Sequence, residues 1–282
     1  MSAPFGRRLC EVAENRASGG YRVFSLHDRE GPEPRAGQFY MLTAAAGWAG
    51  EGGRAHLPRA ISVAEVGPAG RGLRLEFLVE GVGPGTERLC GLGAGEQVWL
   101  TGPLGNGFPM PREALPGAAG AILVGGGIGV APLALLRRRL SERGVPLRVL
   151  LGYRDRDHAG GTELFCGAGG DLCPEVRLAS EDGHAGHRGY VTDLLAAMLA
   201  GDDAASAVVY SCGPPAMLEA VRRLCSSHGV ASQLALESPM ACGFGACFGC
   251  AVPKPGGGYL RLCVDGPVLA GEDIEEVAAA YA

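Results

Sequence analysis

Near its C-terminal end, from Glu237 to Gly266, the chain reads ESPMACGFGACFGCAVPKPGGGYLRLCVDG, and this stretch limits what the protein can become. Cys242, Cys247, Cys250 and Cys263 follow the order C-x4-C-x2-C-x12-C, the spacing of plant-type [2Fe-2S] ligands. Four thiolates must converge on two bridged irons, so the segment has to be a loop passing close to the sulfides. Gly243, Gly245, Ala246 and Gly249 leave that room. A chain carrying such a loop moves single electrons. Two other possibilities compete. A disulfide pair is disfavoured by the chain length, by the lack of a signal peptide and by six scattered cysteines, Cys10, Cys90, Cys166, Cys173, Cys212 and Cys225. A zinc site usually shows two C-x2-C knuckles, and here there is one.

With 282 residues, 47% of them hydrophobic, the chain can bury core for about two domains plus an appendage. A net charge of -5 gives no nucleic-acid footprint. The stretch Ala114 to Leu136 has no charged residue and could pass for a membrane span. It also holds Gly125, Gly126, Gly127, Pro116 and Pro132, which fit a strand, a loop and a helix start better than one helix. The expectation is therefore a soluble protein without a membrane span, and the many free thiols place it in the cytoplasm.

From Leu9 to Thr101 the chain reads as short strands. Leu73, Leu75, Phe77 and Val79 alternate with Arg74, Glu76 and Leu78, the period-two signature of a half-buried antiparallel strand. Similar segments at Leu9–Ala13, Tyr21–Leu26, Gln38–Thr43, Ala60–Val66 and Gln97–Thr101 predict a six-stranded antiparallel β-barrel. After PMPREALPG, from Pro109 to Gly117, strands alternate with helices. Strands are expected at Ala121–Val124, Leu147–Gly152, Val176–Ser180 and Ala207–Cys212. Helices are expected at Val130–Arg143, over Leu194–Leu199 with Thr192 as N-cap, and from Pro214 and Pro215 to just before Gly229. Such alternation makes a parallel, Rossmann-like α/β sheet. The predicted division is 1–112 for the barrel, 113–235 for the α/β domain and 236–282 for a small cluster subdomain.

Three further constellations carry chemistry. GGGIGVAP puts Gly125, Gly126, Gly127 and Gly129 where a parallel strand ends and a helix begins, so that amides can face a pyrophosphate; it does not complete G-x-G-x-x-G, and a glycine-rich packing turn would look the same. SCGPPAM puts Cys212, Gly213 and Pro214 at a strand end, beside the same crevice; Cys212 alone would read as a buried structural thiol. In the barrel, PRAIS places Arg59, Ala60, Ile61 and Ser62 together, and GVGPGTERL brings Gly85 and Thr86. A guanidinium can clamp a diphosphate, Gly85 and Thr86 can offer amides and a hydroxyl, and Ser62 can bond a ring nitrogen. In isolation Arg59 and Ser62 would be surface decoration.

The order PRAIS, GPGT, GPLGNGF, GGGIGVAP and SCGPPAM resembles the ferredoxin–NADP reductase superfamily. LESPMACGFGACFGC and LCVDGPVL narrow the likeness to the electron-transfer subunits of NAD-dependent dihydroorotate dehydrogenases, over nearly the whole chain. The resemblance implies FAD on the barrel at Arg59, Ala60, Ile61, Ser62, Gly85 and Thr86, with Ala60 where proline is commoner and Ile61 where an aromatic residue is common. It implies NAD(H) at Gly125 to Gly129 and Cys212 to Pro214, and a cluster on Cys242, Cys247, Cys250 and Cys263. Ser62 and Cys212 are the implied catalytic residues. The implied partner is an FMN-containing dihydroorotate dehydrogenase catalytic subunit, in a heterotetramer with two of each chain. Electrons from dihydroorotate would pass through the [2Fe-2S] cluster to FAD and then to NAD+, for pyrimidine (UMP) biosynthesis. Arg154 and Arg156 follow the second α/β strand, where a 2′-phosphate of NADP could be met, or they are solvated loop charges. Phe244 and Phe248 are candidates for the partner interface, with packing of the cysteine loop as the alternative. Two rivals remain: a reductase module of another complex of the hydrogenase, sulfite reductase or transhydrogenase kind, and a non-catalytic zinc-bound adaptor.

Overall fold

The computed structural model describes residues 6–49, 55–167, 170–201 and 206–277. Six antiparallel strands, β1 (Arg7–Ser18), β2 (Tyr21–Asp28), β3 (Phe39–Ala44), β4 (Arg59–Ala69), β5 (Gly72–Val79) and β6 (Gln97–Leu104), close a barrel in the order β1-β2-β5-β4-β3-β6. Alternation drives it. Along β6, Val98, Leu100 and Leu104 are buried between more exposed neighbours, and Leu75 and Phe77 of β5 are fully buried. Tyr40 and Phe77 meet edge to face inside, ring centroids 5.7 Å apart. A short helix, α1 (Pro84–Cys90), occupies what the sequence pattern suggests is only a turn.

After α2 (Pro111–Ala114) come β7 (Gly120–Gly126), α3 (Ala131–Glu142), β8 (Leu147–Tyr153), β9 (Val176–Ser180), β10 (His187–Arg188), α4 (Val191–Leu199), β11 (Ala207–Cys212), α5 (Pro215–His228) and β12 (Ser232–Ala235). The C-terminal segment adds β13 (Ala251–Pro253), β14 (Tyr259–Arg261) and β15 (Val268–Ala270). The large sheet runs β10-β9-β8-β7-β11-β12-β15. Its members pair in parallel except β15, which lies antiparallel on β12. The fully parallel sheet expected from the alternating pattern therefore gains an antiparallel edge from the cysteine segment. Thr192 is not the cap of α4: Tyr190 holds that position, and the Asp193 carboxylate accepts its backbone N–H at 2.8 Å.

The barrel and the sheet pack closely. The β1–β2 hairpin leans on a 3-10 helix at Asp157–Phe165, where Ser18 Oγ donates to the Gly160 carbonyl at 2.8 Å and the Gly20 amide to the Asp157 carbonyl at 2.7 Å. On the far face, Ile122, Val124, Val209 and Leu234 share an apolar cluster with Phe39, Met41 and Leu104 of the barrel and with Cys250, Val252, Leu262 and Cys263. The cysteine segment is thereby wedged between the other two units. No helix among the described residues is long and apolar enough to cross a membrane.

Candidate redox site

β7 and β11 are parallel neighbours with Gly125 opposite Cys212, so the two motif loops leave the sheet side by side. A Cβ on Gly129 would lie 2.5 Å from Gly213 Cα and 2.7 Å from the Cys212 carbonyl carbon, which only glycine avoids. Buried Ser211 Oγ donates to the Val124 carbonyl at 2.9 Å and ties the strands beneath. A 3-10 turn over Gly127–Val130 leads into α3, whose N-terminus faces the crevice at the carboxyl end of the sheet. Gly126, Gly127, Gly129, Gly213 and Pro214 line a cavity of 760 Å³ there. Gly125 and Cys212 do not line it. Cys212 is 2% exposed, and burial, with the Glu237 charge nearby, pushes its thiol well above the ordinary range.

Arg154 lines the same cavity, but its guanidinium donates to the Asp155 carboxylate at 3.0 Å and is 67% exposed. Arg156 starts the 3-10 helix and is not part of the wall. Tyr21, from the barrel hairpin, reaches into the cavity and meets the His158 ring edge on, centroids 6.3 Å apart.

A second cavity, of 380 Å³, lies on the barrel side and is lined by Ala60, Ile61, Ser62 and Thr86. Arg59 stands outside that wall but closes the same end: a Cβ on Gly85 would lie 2.5 Å from Arg59 Nε, so the guanidinium rests on the first turn of α1. Arg59 also donates to the Leu57 carbonyl at 2.7 Å and lies over the Trp48 ring. Thr86 Oγ1 accepts the Val82 and Gly83 amides at 3.0 and 3.2 Å, shaping the loop into the helix. A cation and free helix amides at one point suit a diphosphate.

Glu80, Ile128, Gly129 and Glu237 line both cavities, which therefore meet at a common wall. Glu237 is exposed on the cleft, and desolvation by the protein packed beside it raises its carboxyl above the usual range. The sequence motifs assign no role to Glu80, Glu237 or Tyr21. Glu237 stands out afterwards as a carboxylate directly following the apolar run Leu234, Ala235 and Leu236 at the end of β12, and Tyr21 as an aromatic residue after the Gly19-Gly20 turn.

The four cysteines stand as two pairs. Cys250 Sγ and Cys263 Sγ are 3.2 Å apart, and Cys242 interacts with the Cys247 side chain. Among the described residues no three His, Cys, Asp or Glu side chains gather around one point as a single metal ion needs. Two pairs are the donor set for two irons, so the cysteines fit a two-iron cluster better than a lone zinc. Desolvation acts to raise the Cys242 thiol, yet the backbone amides of Phe244 and Cys247, the Cys247 side chain and the Ala246 amide bring it down to about 6. Burial and the adjacent Cys250 push Cys263 up to about 12. Phe244 and Phe248 are 48% and 62% exposed beside these thiols, with the Arg261 guanidinium over the Phe248 ring at 5.2 Å.

Comparison with known proteins agrees with this arrangement. The model for the iron-sulfur cluster binding domain of dihydroorotate dehydrogenase B matches residues 237–275, and that for the oxidoreductase NAD-binding domain matches 123–223. The dihydroorotate dehydrogenase B (NAD+) electron transfer subunit of Caldanaerobacter subterraneus subsp. tengcongensis is 34% identical over 248 residues, covering 87% of this chain and 89% of that protein. The subunit of the same name from Bacillus caldolyticus is 42% identical over 193 residues, 67% and 70% of the two chains. Among solved structures, the NADH-dependent reduced ferredoxin–NADP oxidoreductase studied for flavin-based electron bifurcation superposes with a TM-score of 0.76 at 25% identity, over 97% and 92% of the chains.

Proposed function

Because this chain belongs to the family of electron transfer subunits of dihydroorotate dehydrogenase B (NAD+), we propose that it carries electrons between a dihydroorotate-oxidising catalytic subunit and NAD+ in pyrimidine biosynthesis. The smaller cavity takes the flavin of FAD, the larger one NAD(H), and Cys242, Cys247, Cys250 and Cys263 take a [2Fe-2S] cluster. The partner binds FMN, and two copies of each chain form the complex. The thiol chemistry of the cysteine loop suits the cytoplasm. Residues 1–112, 113–235 and 236–282 serve as the FAD, nucleotide and cluster units.

The continuity of the site carries this proposal. The two cavities share a wall, and Pro267, which lines the smaller one, is four positions beyond Cys263. Even fully extended, such a span reaches only about 14 Å. FAD, when bound, supplies the conversion between hydride from nicotinamide and single electrons for the cluster. Arg59 and the first turn of α1 would hold the diphosphate, and Ser62, which lines the smaller cavity, would bond the ring. The amides of Gly126 to Gly129 face the nicotinamide-side pyrophosphate at the start of α3, with Gly213 and Pro214 forming the opposite wall. Glu237, in the wall that both cavities share, would face both groups, and desolvation lets it hold a proton more readily than an ordinary carboxylate does. Cys212 supports the wall from beneath.

The exposed rings of Phe244 and Phe248 mark the docking face, beside the point where electrons leave. Replacing each ring by a polar residue should weaken complex formation; unchanged assembly in both variants would remove this face. For the function as a whole, the test is co-expression with an FMN-binding catalytic subunit. We expect a complex that reduces NAD+ in the presence of dihydroorotate, and failure in a verified, cofactor-loaded complex would remove the pyrimidine assignment.

A further inference from the structure

The motif GPLGNGF, Gly102 to Phe108, leaves the barrel at the end of β6 and contributes no wall residue among its polar groups to either cavity. Its Asn106 meets the cysteine segment instead. Asn106 Nδ2 donates to the Val264 carbonyl at 3.1 Å and to the Asp265 carbonyl at 3.0 Å, and its backbone N–H donates to the Gly266 carbonyl at 2.5 Å. Three successive carbonyls are thus gathered by one residue. Asn106 and Pro267 form a parallel bridge, and a Cβ on the preceding Gly105 would lie 2.6 Å from Pro267 Cδ. The gathered run has Cys263 at one end and Pro267, a wall residue of the 380 Å³ cavity, at the other.

We propose that Asn106 is a positioning residue: it fixes the Cys263–Pro267 run on the barrel and so sets how the fourth cluster ligand lies relative to the flavin cavity. An asparagine suits the task because its amide offers two N–H donors and can serve two neighbouring carbonyls at once. Aspartate has the same shape but presents only acceptors to those carbonyls, so it repels where asparagine binds. These bonds lie at the surface, so their loss loosens the run without unfolding the chain. Electron transfer falls steeply with distance, and a small displacement of Cys263 is therefore read out in rate.

This inference rests on the flavin and cluster assignment above. Its test compares Asn106→Asp and Asn106→Ala with the wild-type chain, each loaded with FAD and cluster. NADH is mixed in under anaerobic conditions, and flavin bleaching and the paramagnetic resonance of the reduced cluster are followed separately. The wild type must first show both signals; if it shows no cluster signal, the functional assignment fails rather than this inference. We expect flavin reduction by NADH within twofold of wild type in both variants. Electron arrival at the cluster should slow at least tenfold in Asn106→Asp and less in Asn106→Ala, with altered g values and faster amide exchange at 262–268. Loss of the cluster with flavin retained counts the same way. Unchanged cluster kinetics and g values in Asn106→Asp, or joint loss of flavin and cluster in both variants, would overturn it.

Discussion

Cys212 and Cys242 carry the same thiol in opposite electrostatic surroundings. Cys212 ends a strand paired on both sides, and the Gly213 amide alone turns to its sulfur, too little to offset burial and the Glu237 carboxylate. Cys242 starts a loop in which Gly243 and Gly245 adopt φ of +79° and +86°, and the amides of Phe244, Ala246 and Cys247 converge on its sulfur. Alternating backbone of this kind makes an anion-binding nest. Backbone surroundings separate a packing cysteine from a ligand: burial in the sheet raises one thiol, and converging loop amides lower the other.

Removing a cluster ligand should have the largest effect. In Cys250→Ser, dihydroorotate-dependent NAD+ reduction by the complex should fall by more than about 100-fold, beyond the 10–100-fold that outer partners of a metal centre command. The sulfide-to-iron absorption should vanish while NADH still bleaches the flavin. Next in size is Gly129→Ala at the strand-end junction. Its methyl collides with Gly213 backbone, so denaturant unfolding should show a loss of about 1–3 kcal/mol, and NADH should bind at least about tenfold more weakly. Cys212→Ala should cost about 1–2 kcal/mol from the small void and leave the cluster absorption unchanged. Smallest is Arg154→Ala: its pair with Asp155 is exposed and screened by solvent, so the KM ratio of NADH to NADPH should change by less than about threefold.

The same contrast governs what the sequence reveals. Period-two alternation along Leu73, Leu75, Phe77 and Val79 places β5, although Leu78 on its other face is buried as well. The cysteine spacing is equally local, and so is the glycine run before α3. By contrast, α1 is hidden in GPGTERLC, which reads as a turn, although Pro84 at its first position and Gly91 just after Cys90 are the signals of a short helix. β13, β14 and β15 have three residues each, too few for any period, and β15 exists only because β12 offers an unpaired edge. Glu80 and Glu237 are single carboxylates 157 positions apart in the numbering, and only tertiary packing puts both in the wall between the cavities. Thr192 shows how near a local rule can come: the cap lies two residues earlier because Asp193 reaches back to Tyr190.

The two cavities and the cysteine loop form one electron path within this chain. Anaerobic mixing of the FAD- and cluster-loaded subunit with NADH, followed by rapid freezing for electron paramagnetic resonance, tests it directly. The flavin absorption should bleach first, and the signal of a reduced [2Fe-2S] cluster should then grow at the expense of reduced flavin. Bleaching of the flavin with a cluster that stays oxidised, or a colourless protein carrying zinc on its cysteines, would contradict it.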